Sequence, residues 1–278
     1  MAIRVRRFDD PAAVLDASGT FLAGEPVRHN LILSLLHRCR TTGDPGRFWV
    51  VEQAERVVGV VFQSPLHFFA TVTPMTTGAA IAVTDAIVEE GVDLPGVNGE
   101  VATAAAIAGR WTERARVGAR PVEGTRLYEV DVVVRPTPAA GTARRAGAAD
   151  RDRVVAWFTA FETETGLVPE GDVASAVDRR LAAGELWVWD RDGPVSVLGV
   201  SAPVAGAVRI GPVYTPPAAR GAGCASALVA HVSDAARGDG LRCLLYTDLA
   251  NSTSNAIYRA IGYTAVAELT RYEFASGP

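Results

Sequence analysis

Residues 220–226 read Arg-Gly-Ala-Gly-Cys-Ala-Ser and stand between two contrasting stretches. Before them, an apolar run at 208–215 is stopped by Pro216 and Pro217, which cannot donate to a sheet ladder. After them, Leu228, Val229, Val232 and Ala236 recur at the three-to-four spacing of one buried helix face. Gly221 and Gly223 allow positive φ, so consecutive backbone N–H groups can curl toward one point, and the helix start behind them adds roughly half a positive charge. Such a turn can hold a phosphate or diphosphate without a lysine or a metal. Similar small-residue turns also occur in α/β proteins that bind nothing, so the turn alone leaves both readings open. A Walker A loop is excluded, because all 27 basic residues are arginine. A dinucleotide fingerprint is the weaker match. Gly221, Gly223 and Ser226 give only GxGxxS, late in the chain, with Asp239 and Asp248 straddling the expected position of a ribose-binding acid.

A second stretch narrows the choice. An apolar strand expected at 241–247 leads into Asp248-Leu-Ala-Asn251-Ser-Thr-Ser254-Asn-Ala-Ile-Tyr258-Arg-Ala-Ile-Gly262-Tyr263. The pattern Arg-x-x-Gly-x-Ala at 220–225 resembles the acyl-CoA loop, motif A, of the GNAT N-acetyltransferase superfamily. The segment with Asn251, Ser254, Tyr258, Gly262 and Tyr263 resembles that superfamily's motif B. The resemblance implies an α/β fold and acetyl-CoA as the acyl donor, with a primary amine on a small molecule or a peptide as the acceptor.

The same resemblance assigns roles. Backbone amides of Gly221, Ala222, Gly223, Cys224 and Ala225, with Ser226 and Arg220 beside them, would take the diphosphate. Val213, Tyr214 and Thr215 would pair with the pantetheine arm, one of their amides serving the thioester oxygen. Independently of any family, Gly211-Pro212 in mid-strand marks a bulge or an exposed edge. Asn251 would bond the pantetheine chain, or simply cap the following helix. Ser254 would stay small to permit close approach. Tyr258, a phenol with an ordinary pKa near 10, would protonate the departing thiolate; the competing reading is a core tyrosine beside Ile257 and Ile261. Glu164 is the first candidate for the general base and Asp248 the second, although both also read as surface or capping carboxylates and ordered water is an alternative. Cys224 is expected to pack inward rather than act as a nucleophile, and His231 to face away from the sulfur. His29, His37 and His67 have no ligand spacing, so no metal is expected.

These residues need a scaffold. A strand is expected at 3–7, helices at 11–15 and 29–40, a hairpin from 48–52 and 57–63, and a strand at 68–73. Helices at 77–90 and 99–116 and a strand at 125–134 complete the first half. The second half repeats the order: a strand at 141–145, helices at 150–164 and 171–183, strands at 186–190 and 195–203, then the turn described above. The recurrence suggests tandem GNAT-like domains, each a mixed, mostly antiparallel central sheet flanked by helices. Arg135-Pro-Thr-Pro-Ala-Ala-Gly-Thr142 reads as the linker, giving a degenerate domain at 1–137 and an acetyltransferase domain at 138–278. The first copy has Pro74-Met-Thr-Thr-Gly-Ala79 where the loop should be, so it is expected to have lost the cofactor and to shape the acceptor side.

At 278 residues and 49% hydrophobic composition the chain has ample material for cores. A net charge of −4 without a basic run argues against nucleic acid. Three cysteines without metal spacing, no apolar run of membrane-spanning length and no apolar leader point to a cytoplasmic protein with no membrane partner. A homodimer is left open. Two rival functions are a CoA-binding sensor without turnover and an NAD-dependent oxidoreductase.

Overall fold

A computed structural model of the chain describes residues 2–166 and 171–275. The first ten elements are β1 (Ile3–Phe8), α1 (Pro11–Gly24), α2 (Asn30–Thr42), β2 (Arg47–Gln53), β3 (Arg56–Gln63), β4 (Ala70–Val72), α3 (Thr77–Glu89), β5 (Gly96–Glu100), α4 (Val101–Ala115) and β6 (Ala119–Val130). The next ten repeat their order as β7 (Thr142–Arg145), α5 (Arg151–Thr165), α6 (Val173–Ala182), β8 (Leu186–Asp190), β9 (Pro194–Val200), β10 (Ala207–Tyr214), α7 (Cys224–Gly238), β11 (Arg242–Asp248), α8 (Ser252–Ile261) and β12 (Tyr263–Phe274).

The chain divides into two compact units. One holds the residues up to Leu127, Asp248–Ala250 and the residues from Ala265 on; the other holds Tyr128–Thr247 and Asn251–Thr264. In the first unit the strands lie in the order β1-β2-β3-β4-β5-β12, and in the second β11-β10-β9-β8-β7. Neighbours are antiparallel except for the pairs β4/β5 and β10/β11, which are parallel and joined by the crossover helices α3 and α7. In the second unit, alternation along the strands splits the apolar side chains between two layers. Leu198, Val208, Ile210 and Leu245 pack with Leu228, Val229 and Val232 of α7. Leu186, Val188 and Val197 pack with Val154 and Phe158 of α5 and Val177 of α6. α7 buries the stripe expected of it, including Ala236.

Two expectations change, and one strand is added. Residues 96–100, expected partly inside a helix, form β5, and α4 begins only at Val101. The reason is tertiary: Gly96–Glu100 pairs with 269–273 of β12, and that ladder overrides a glycine-rich sequence with little strand propensity. β12 itself extends the chain's order beyond the two motifs. Finally, continuous domains at 1–137 and 138–278 do not match the division. The pairing of β12 with β5 puts the residues from Ala265 on in the first unit, and the linker at 135–142 lies inside the second. No local sequence signal states which sheet a terminal strand will join.

Candidate functional site

The site begins with two strands that part. The parallel register of β10 with β11 runs from Ala207↔Arg242 to Ile210↔Leu245, although β10 continues to Tyr214 and β11 to Asp248. On its other edge, β10 shifts register with β9 between Ile210 and Val213, at the expected Gly211-Pro212 position, and resumes at Val213↔Leu198. The Ser196 hydroxyl donates to the Tyr214 carbonyl at 3.2 Å, so the main chain of Tyr214 faces β9. Successive residues of a strand aim their N–H and C=O at opposite edges, so the main chain of Val213 faces the gap left by β11.

The strand ends in a tight turn. Ala219 and Arg220 donate back to the carbonyls of Pro216 and Pro217, then Gly221 and Gly223 adopt φ of 82° and 72°. Gly223 is the N-cap of α7, and no side chain caps that helix. The amides of its first turn therefore lack the partners that a capping residue or a preceding helical turn would supply. A Cβ at Gly221 would meet nothing within 4 Å, so the turn opens onto free space.

The gap and the turn together make a cavity of about 630 Å³ in the second unit, within the range of small-ligand sites. Glu164, Val213, Tyr214, Thr215, Arg220, Gly221, Gly223, Cys224, Ala225, Ser226, Asn251, Ser254 and Tyr258 all line it. Ala222, expected beside them in the turn, does not. Phe161, Val229, Thr253 and Ile257 line it too. The sequence offered one signal for Phe161: it lies one turn before Glu164 on the same helix. Asp248, the second carboxylate considered, accepts from the Ala250 amide at 2.8 Å and is not a lining residue. The His231 ring lies tilted against that of Trp187, with centroids 5.6 Å apart, and is not a lining residue either.

Two side-chain assemblies give the cavity its chemistry. Tyr258 sits on the buried face of α8 with Asn255 and Ile261. Asn255 accepts from the Tyr128 hydroxyl at 3.0 Å, and the Tyr258 ring lies against those of Tyr128 and Tyr263. Burial pushes the Tyr258 phenol up to about 12, with a smaller opposing pull from the Ser254 hydroxyl. Asn251 caps α8 by accepting from the Ser254 amide at 2.9 Å, and it also lines the cavity.

The second assembly is built on Glu164. Its carboxylate accepts from Arg220 at 2.6 Å and from the Tyr214 hydroxyl at 2.8 Å. Arg220 also donates to the Thr215 carbonyl at 2.9 Å and lies 5.7 Å from the centre of the Tyr214 ring. The Arg220 guanidinium, and after it the Tyr214 hydroxyl, hold the Glu164 carboxyl below the usual carboxylate range. A carboxylate so stabilised is a weak proton acceptor. These contacts tie the end of α5 to the turn.

Residues 204–272, which span β10, the turn, α7, β11, α8 and most of β12, match the family described as FR47-like protein. An acetyltransferase of the GNAT family from Colwellia psychrerythraea superposes with a TM-score of 0.62 at 11% identity, covering 98% of this chain and 100% of its own. A tandem GNAT protein from the clavulanic acid biosynthesis pathway superposes with a TM-score of 0.57 at 11% identity over 100% and 99% of the two chains. The chain has the tandem GNAT fold. A GCN5-related N-acetyltransferase from Sphaerobacter thermophilus agrees, with a TM-score of 0.63 at 17% identity over 97% of this chain and 94% of its own. No curated protein matches by sequence. In GNAT terms, the parted strands, the open turn and the Tyr258 helix all fall inside the FR47-like segment, while Glu164 stands outside it. No described helix is long and apolar enough to cross a membrane.

Proposed function

We propose that the second unit transfers an acetyl group from acetyl-CoA to a primary amine, which attacks directly. The observation that carries this reading is the parting of β10 from β11 over a cavity with an uncapped glycine turn and a buried phenol in its wall. The residues present suit the donor. Left-handed glycines, an open first helical turn and space where a Cβ would stand favour a diphosphate at 221–226. The Val213 main chain, freed from β11, offers a peptide edge to an amide-bearing arm. Bound there, acetyl-CoA supplies an activated acyl carbon and a thiol leaving group.

The chain's own groups then divide the work. Val213 provides an amide for the oxygen that gains negative charge. With its pKa near 12, Tyr258 keeps its proton at neutral pH and holds it at Oη for the departing sulfur. Glu164 and Arg220 fix the turn. The acceptor loses its proton to water, because the candidate carboxylate is already committed to Arg220.

The test is a thermal shift with CoA, acetyl-CoA and NAD, followed by thiol release across a panel of amines. A ligand at 100 times its dissociation constant stabilises by about 2.7 kcal/mol. Stabilisation by acetyl-CoA, together with thiol release that depends on an amine, supports the proposal. Preference for NAD contradicts it, and acetyl-CoA binding without thiol release with any amine makes the chain a sensor.

A further inference from the structure

Arg180, on α6, takes no part in the sequence motifs. Its Nη2 donates to the Gly211 carbonyl at 3.0 Å, at the break in the β10 ladder. The nearest carboxylate oxygen, on Glu185, is 3.7 Å from Nε, and the Phe158 ring centre lies 5.9 Å from Cζ. Only 20% of the Arg180 side chain is exposed. Burial lowers its pKa, and Arg209 and Arg179 add repulsion that Glu185 opposes. A mostly buried cation whose pair with Glu185 is no closer than 3.7 Å costs stability, and an apolar side chain would fill the place more cheaply. A second position is committed to the same arrangement: a Cβ at Gly199, in β9, would stand 2.2 Å from Nη2. The sequence thus gives up a side chain in mid-strand to admit this guanidinium.

We propose that Arg180 is a positioning residue for acyl transfer: by holding the Gly211 carbonyl it keeps β10 bulged, so that the Val213 amide faces the cavity. The inference rests on the acetyltransferase reading of the cavity. The Gly211 carbonyl accepts from a side chain at the register break, and Pro212 brings no N–H. The next residue with both groups is Val213, and the alternation restored at Tyr214 sends its amide away from β9.

Two variants in different elements test this. Arg180→Met removes the donor, and Gly199→Ala displaces it. In the full chain without ligand, amide exchange at Tyr214 should quicken by about tenfold or more in both, while Val188 in β8 stays within about twofold of the parent. With acetyl-CoA and an amine the parent acetylates, kcat should fall about 10- to 100-fold, acetyl-CoA affinity staying within about threefold. Arg180→Lys, which keeps charge and one donor, should recover kcat to within about fivefold of the parent. Unchanged Tyr214 exchange in both variants overturns the proposal. So does exchange that rises equally across β8 and β9, or a kcat within about twofold of the parent. If the parent acetylates no amine, the acetyltransferase reading fails instead, and the exchange data alone decide whether Arg180 sets the bulge.

Discussion

The two units contain the same strand-to-helix turn built in two ways. In the first, β4 leads to α3 through Pro74, Met75 and Thr76. The Thr76 hydroxyl accepts from the Ala79 amide at 3.3 Å, the Thr103 hydroxyl accepts from the Met75 amide at 3.1 Å and donates to the Met75 carbonyl, and Ala79 and Ala80 are fully buried. The strands stay together as well: β4 and β5 pair through Thr71↔Asn98, and a Cβ at Gly99 would stand 2.4 Å from Val72. In the second unit, β10 leaves β11 after Ile210, the helix starts at an uncapped glycine, and its first turn lines a cavity. The same topology therefore gives a closed turn where side chains satisfy the amides and an open one where they do not. Ligand capacity follows from that accounting rather than from the fold.

The sharpest way to break the comparison is Gly223→Glu. It forces a side chain into a left-handed position and adds a negative charge where a diphosphate is proposed to sit, so acetyl-CoA affinity should fall by about 100-fold or more in a titration. Parent-like binding would mean that the open turn is not the anion site. Tyr258→Phe comes next. It should lower kcat by about tenfold or more with acetyl-CoA affinity nearly unchanged, as expected for losing one positioned acid. Because burial places the phenol near 12, no descending limb of kcat from Tyr258 should appear below about pH 11.

Opening the closed turn is the converse experiment. Thr76→Ala removes the cap of α3 and should cost about 1 kcal/mol in denaturant unfolding without creating acetyl-CoA protection at residues 76–80. The smallest effect is expected of Glu164→Gln, which weakens the tether but leaves the turn: acetyl-CoA affinity should drop by about twofold to fivefold. The Glu164 carboxyl is held low, so its contribution is present above the ordinary carboxylate pKa and is lost only as pH falls through the lowered value. The parent should show no step in affinity from this group between pH 5 and 7. A large loss of kcat with a step in that window would return Glu164 to the role of base.

How far the sequence can be read follows the same division. The open turn was legible because its logic is local: two glycines, a double proline before them and an amphipathic run behind. Tyr258 was legible through the resemblance of 251–263 to motif B. β5 was not, because Gly-Val-Asn-Gly-Glu acquires its strand only from β12, a partner remote in sequence. The grip of Arg220 on Glu164 joins residues 56 positions apart and shows only in three dimensions. Arg180 and Gly199 carry no motif, and nothing short of a structure brings them together beside the Gly211 carbonyl's donor.

Amide exchange with and without acetyl-CoA measures both turns at once. Open amides in the second unit and capped ones in the first predict new protection at Val213 and residues 221–226 and none at 74–80. Protection appearing at 74–80, or failing to appear at 221–226 under saturating acetyl-CoA, would contradict the account.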